Sequence, residues 1–224
     1  MEYHLISFDI CPYVQRSVIT LLEKEIDFEI TYIELDDPPT WFSRRSPLGL
    51  VPILIIDKES EQEVVLFESA AINEYLDEVT PGELMPADAI DRALTRAWIQ
   101  FGSECLMNYY TASVSSSEED VGIQLEQLAQ RLDRLEKEVV GPFFWGTGFT
   151  LADAALAPLM VRLDHFESYA PGFSLENWPA LHAWTQNLKQ RHSVQNSIVE
   201  DWQGRFEDYI RGTGSKLSQS LVAA

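Results

Sequence analysis

Hydrophobic and polar positions change rhythm several times in the first third of the chain and settle into a single rhythm afterwards. Tyr3 to Phe8 reads as a strand, and Val14 to Lys24 as a helix with Val18, Leu21 and Leu22 on one side. Phe28 to Leu35 alternates, Phe28, Ile30 and Tyr32 against Glu29, Thr31 and Glu34, which predicts a second strand. The pattern then gives a short helix over Trp41 to Arg45, a buried strand from Val51 to Ile56 and a turn around Lys58 to Gln62. A strand from Val64 to Phe67 and a helix from Ser69 to Glu78 close the series. The order βαβ, helix, ββα predicts a small mixed sheet of four strands flanked by helices.

Thr80-Pro81-Gly82 and Pro86 interrupt this pattern, and no strand is evident beyond them. Ile90, Leu94, Ala97 and Phe101 recur at helical spacing, as do Val121, Leu125, Leu128, Leu132, Leu135 and Val139. Ser113 to Asp120 reads as the turn between these helices plus the acidic first turn of the second. Thr150-Leu151-Ala152-Asp153 pairs a capping hydroxyl with a carboxylate three residues on, a helix start that Pro158 is expected to kink. Helices around Trp178 to Arg191 and Val199 to Tyr209 complete an all-helical second part. The expected units are residues 1–79, a linker at 80–87, a helical domain at 88–211 and a loosely held tail at 212–224.

Composition narrows the function. Sixteen basic residues against 36 acidic ones leave a net charge of −20, a surface that repels nucleic-acid phosphates and anionic lipid headgroups. Apolar runs such as Val51 to Ile56 are too short to span a bilayer, and the N-terminus carries no basic targeting region. Two cysteines in 224 residues do not make a secreted disulfide framework, so the expected compartment is the reducing cytoplasm. The four histidines show no metal-ligand spacing, and no metal is expected.

The sharpest chemical signal is Cys11-Pro12-Tyr13-Val14, just past the first strand and opening the first helix. Proline suits the first helical position, which puts Cys11 at the helix N-terminus, where free N–H groups and the helix dipole favour a thiolate. A buried structural cysteine is the competing reading. Val14 occupies the place of the second cysteine of a C-x-x-C pair, so Cys11 cannot resolve its own mixed disulfide, and an outside thiol must release it. Val51-Pro52, after Leu48-Gly49-Leu50, suits either a cis peptide that exposes backbone groups to an extended peptide or an ordinary strand-opening proline. At the next strand–helix junction, Ser69 with the N–H groups after it can hold a carboxylate and Glu68 an ammonium, although a helix cap needs no ligand. A thiol partner, a peptide-backbone partner and an amino-acid-end partner together suit glutathione. Cys105, Trp98, Trp178 and Trp184 read as packing, and Tyr109 and Tyr110 are expected to border the pocket.

Over nearly its whole length the sequence resembles the cytosolic glutathione transferases, and among them the omega class. The resemblance rests on Cys11-Pro12-Tyr13-Val14-Gln15-Arg16-Ser17, on Trp41-Phe42 through Pro47-Leu48-Gly49-Leu50-Val51-Pro52, on Phe67-Glu68-Ser69-Ala70 with Glu74 to Glu78, and on Asp201-Trp202-Gln203-Gly204 with Tyr209. It implies an α/β N-terminal thioredoxin-like domain, an all-α C-terminal helical domain and a homodimer. It also implies glutathione as cosubstrate in thiol transfer, deglutathionylation or dehydroascorbate reduction. Carried onto this chain, Cys11 is the catalytic thiol and Pro12, Tyr13, Leu50, Val51, Pro52, Glu68 and Ser69 hold glutathione. Tyr109, Tyr110, Trp202 and Tyr209 line the pocket for a small electrophilic or disulfide acceptor. The sequence departs from the class in carrying Pro38 where some members have a lysine for glutathione, and Tyr13 where phenylalanine is usual. Some proteins of this fold have lost catalysis and act as binding or regulatory partners, which is the alternative function.

Overall fold

A computed structural model describes residues 2–57 and 63–221. The expected turn at Lys58 to Gln62 lies outside the described residues. Four strands, β1 (Glu2–Ser7), β2 (Glu29–Tyr32), β3 (Ile53–Asp57) and β4 (Glu63–Phe67), form one sheet in the order β2-β1-β3-β4. β1 and β2 run parallel, and β3 is antiparallel to both β1 and β4. The ends of β1, β2 and β4 and the start of β3 therefore share one edge of the sheet.

β1 and β2 are joined by α1 (Pro12–Glu23), the sheet continues through the short α2 (Phe42–Arg45), and α3 (Ser69–Val79) follows β4. Leu5, Leu54 and Ile56 pack on one face against Val14, Val18, Leu21, Ile72 and Leu76 of α1 and α3. Ile6, Ile53 and Ile55 pack on the other against Phe42 and Ile33. Strict alternation along β3 thus serves two apolar layers, which is why this strand reads as a continuous hydrophobic run. β2 is shorter than its alternating pattern, because only Glu29 to Tyr32 find ladder partners on β1 before Ile33 closes the pairing with Ser7.

Among the described residues six α-helices follow: α4 (Ala89–Val114), α5 (Glu118–Leu135), α6 (Leu151–Phe166), α7 (Pro179–Gln190), α8 (His192–Gln195) and α9 (Trp202–Gly212). α5 stops at Leu135, so Val139 falls outside it although it keeps the apolar spacing. α6 runs through Pro158 without ending. Its start is held by Asp153, a fully buried carboxylate that accepts from the N–H and hydroxyl of Thr150, the N–H of Phe144 and the indole of Trp184, at 2.8–2.9 Å. The capping residues therefore tie three segments of the helical part together, with no sign of a further role.

Two polar locks join the sheet to the helices. Lys24, just past α1, meets Asp77 on α3 at 2.8 Å, and Asp77 also accepts the N–H groups of Leu84 and Met85. Gln15 on α1 donates to Ser197 and accepts from Arg162 of α6. The tail differs from its expected looseness through residue 221. Ser215 and Leu217 are buried, and the Lys216 N–H donates to Ser115 at the end of α4 at 2.8 Å. Small polar residues here cap a short helix and leave one leucine to anchor it, a pattern that composition alone does not distinguish from a free tail.

Candidate active site

The shared sheet edge and the helices α4, α6 and α9 enclose a cavity of about 650 Å³. Its sheet-side wall is Cys11, Pro12 and Tyr13, then Leu50, Val51 and Pro52, then Glu68 and Ser69. The three segments come together for a topological reason: each follows β1, precedes β3 or follows β4 on the same edge. Cys11 is the N-cap of α1, with extended backbone and Pro12 directly after it. The Val51–Pro52 peptide is cis. Buried Ser46, which no motif in the sequence singles out, donates to the Leu50 carbonyl at 2.8 Å and accepts from the Leu50 N–H at 2.9 Å, fixing the approach to Val51. Glu68 caps α3 with φ +68°, a backbone region that costs a non-glycine residue about 1–3 kcal/mol.

The opposite wall is made by Ser103, Glu104, Met107, Tyr109 and Tyr110 of α4, Arg162 of α6, and Phe206 and Tyr209 of α9. Tyr109 is buried, its hydroxyl 2.9 Å from that of Tyr169. Tyr110 and Tyr209 stand at the mouth, their hydroxyls 2.7 Å apart. Of the residues expected at the site, only Trp202 is not brought to the cavity. It is buried behind the wall, under the Arg162 guanidinium at 5.2 Å and edge-on to His165. The first turn of α9 packs inward, which leaves Phe206 and Tyr209, one and two turns later, to face the cavity.

Electrostatics at Cys11 depart from the helix-terminus expectation. Burial pushes the thiol above its ordinary value, against the N–H groups of Val14 and Tyr13 and the guanidiniums of Arg162 and Arg16, which pull it down. Both guanidiniums are buried, and among the described residues neither meets a carboxylate. Arg162 donates to the Ile10 carbonyl beside Cys11, to Gln15 and to the Pro158 carbonyl. Arg16 lies over the Tyr13 ring at 4.8 Å and donates to Ser103, with its Nε and one Nη lacking any partner. Desolvation brings the Arg16 guanidinium down to about 10. An anion forming at Cys11 thus feels two cations that have no carboxylate partner. Cys105 is fully buried, its thiol pushed up to about 12 by burial, and it plays no part in the cavity.

Comparison with known proteins agrees with this geometry. Residues 10–79 match the model of the glutathione S-transferase N-terminal domain, and residues 94–192 that of the glutathione S-transferase C-terminal domain. The chain is 30% identical to glutathione S-transferase omega-2 of the rat, Rattus norvegicus, over 84% of this chain and 75% of that one. Among solved structures it is similar to glutathione transferase Omega 3C from Trametes versicolor, with 27% identity, a TM-score of 0.78 and 90% of each chain covered. It is also similar to rice GST1 in complex with glutathione, with 25% identity, a TM-score of 0.82, and 96% and 97% of the two chains covered. No helix among the described residues is long and apolar enough to cross a membrane. A mixed four-stranded sheet, an all-helical partner and two matching domain models mean that the chain belongs to the glutathione S-transferase family, as an omega-like member of it.

Proposed function

We propose that the protein is a cysteine-based glutathione transferase that moves thiols between glutathione and a small disulfide or electrophilic acceptor. The observation that carries this is the position of Cys11, at the start of α1 and on the wall of the cavity that also presents Val51 and Ser69. In this reading the glutathione backbone pairs with Val51 as an added strand, and its γ-glutamyl carboxylate sits at Ser69 and the N–H groups opening α3, with Glu68 toward its ammonium. Pro12, Tyr13, Leu50 and Pro52 complete that half of the site, while Tyr109, Tyr110 and Tyr209 border the acceptor.

The Cys11 thiol loses its proton to solvent and the thiolate attacks the glutathione sulfur of a mixed disulfide. A Cys11–glutathione disulfide forms as the acceptor thiolate leaves and takes up a proton. A second glutathione thiolate then attacks that adduct, releasing glutathione disulfide and regenerating Cys11. Dehydroascorbate reduction uses the same thiol, with two electrons supplied by two glutathione molecules that leave as one disulfide. Arg16 and Arg162 favour the step in which charge appears on Cys11. A cytoplasmic, homodimeric protein is part of this reading.

Intact mass after incubation with glutathione disulfide tests it. One glutathione adduct on the wild type, absent from Cys11→Ser and removed by reduced glutathione, is expected. The raised thiol of Cys11 favours one other reading, a non-catalytic binding protein of this fold, and an adduct confined to Cys105 or missing altogether establishes that reading instead.

A further inference from the structure

Cys11, Val51, Glu68 and Ser69 of the sheet wall serve the γ-glutamyl and cysteinyl parts of the ligand in the reading above, which leaves its third residue to be placed. With the thiol at Cys11, the backbone at Val51 and the γ-glutamyl end at Ser69, the sheet order fixes the direction. Ser69 follows β4, on one side of β3, so the C-terminal glycine must run the other way, toward the end of β2. That side of the cavity is lined by Leu35, Leu48 and Leu50, all exposed. Glu34, Asp36 and Asp37 are exposed immediately beside Leu35.

The cations that could answer a carboxylate here are engaged elsewhere. Arg45 of α2 makes two 2.7 Å bonds to Glu63, which opens β4 opposite Asp57 at the far edge of the sheet. Four strand steps separate Glu63 from Phe67 at the cavity edge, about 13 Å at the usual rise. Arg45 is also held over the Trp41 ring at 5.4 Å. Arg44 is exposed on the same helix and does not reach the cavity lining. Arg205, near the end of β2, is paired with Asp9 at 2.6 Å. Among the described residues Arg162 is the one cation that lines the cavity, and its guanidinium is bound to the Ile10 carbonyl next to Cys11.

We infer that the site recognises γ-glutamylcysteinyl thiols without regard to a free C-terminal carboxylate, so that glutathione whose glycine is esterified or amidated is taken as readily as glutathione. The inference rests on the glutathione reading above and sets its substrate class. An apolar rim flanked by three carboxylates gives a glycyl carboxylate no counter-charge and some repulsion, which a neutral ester escapes. The repulsion acts between exposed groups, so salt weakens it.

Calorimetric titration of the wild type at low and high salt separates the outcomes, using reduced glutathione, its glycyl monoethyl ester, and glutathione acetylated on the γ-glutamyl nitrogen. The ester is expected to bind with the same Kd as the free acid or a lower one, with the difference shrinking in salt, and the acetylated form to bind far more weakly. Asp36→Asn with Asp37→Asn should tighten the free acid and leave the ester unchanged. An ester weaker than the acid by about tenfold or more, some 1.4 kcal/mol, overturns the inference while leaving the glutathione reading standing. Binding of neither thiol overturns the glutathione reading and this inference with it.

Discussion

The two walls of the cavity are built in different ways. The sheet-side wall is made of short consecutive runs, 11–13, 50–52 and 68–69, and offers mainly backbone groups held by a helix start, a cis proline and a helix cap. The helical wall is made of single side chains drawn from α4, α6 and α9, spread over about a hundred residues of chain, and is mostly aromatic and apolar. The first wall suits one ligand of fixed covalent structure, because backbone donors and acceptors cannot be altered by substituting a side chain. The second can change its preference one residue at a time. Recognition of the thiol and choice of the acceptor are therefore separable, and substitutions on the two walls should change different measured quantities.

The largest effect expected is on the sheet wall. Cys11→Ala should reduce thiol transfer to the uncatalysed background while glutathione still binds, which calorimetry and a coupled disulfide-exchange assay distinguish. Ser69→Ala removes a hydroxyl bond to a ligand carboxylate, a charge-assisted interaction worth about 1.5–3 kcal/mol, so the Kd for glutathione should rise about ten- to a hundredfold. The ratio of rates between two acceptors should stay fixed in this variant. A change in that ratio with unchanged Kd breaks the division between the walls.

That division also decides what could be read from the sequence. The sheet wall was legible because each of its segments is a local solution to a local problem: Cys11-Pro12 begins a helix, Val51-Pro52 begins a strand, and Glu68-Ser69 begins another helix. The helical wall was not, since which face of α9 turns inward depends on packing against α6. Trp202 is the clearest case. It was expected at the acceptor and lies instead beneath Arg162, while Phe206, Met107 and Arg162 itself line the cavity with no local pattern to announce them. The tail shows the same limit, its burial resting on Leu217 in the helical core and on a hydrogen bond to Ser115 across about a hundred residues. The balance at Cys11 was also out of reach, because a helix terminus can be read from sequence and the burial that outweighs it cannot.

The buried guanidiniums stand between the two walls, and they offer a smaller but sharper test. Because burial holds the Cys11 thiol protonated, the rate of adduct formation should rise with pH and still be rising at the ordinary thiol value of 9.0. Arg16→Met removes a cation that lowers that thiol, so the rise should move to higher pH. The rate at neutral pH should then fall, by up to about tenfold for every pH unit that the profile moves. Arg16→Lys should recover most of the rate. The same methionine substitution should leave thermal stability unchanged or raise it, because it replaces a buried charge that has no carboxylate partner with an apolar chain of similar volume. A loss of stability with an unmoved pH profile assigns Arg16 to packing alone.

The smallest effect belongs to the mouth of the helical wall. Tyr110 and Tyr209 share one hydroxyl–hydroxyl bond at 2.7 Å, and both rings are partly exposed. Burial, together with that bond, raises Tyr110 to about 12, so its phenol stays neutral throughout the working range and acts by shape and hydrogen bonding. Tyr209→Phe breaks the bond and keeps the ring. A neutral bond open to water is worth about 0.5–1.5 kcal/mol, and the exposed setting favours the lower end, so KM for the acceptor should change about two- to threefold. Adduct formation from glutathione disulfide should not change, since neither phenol touches the sheet wall. Tyr110→Phe should do the same, and the double variant should add nothing further, because both singles delete the same bond. An additive double variant means that each hydroxyl meets the acceptor separately, and the mouth is then two contacts and not one latch.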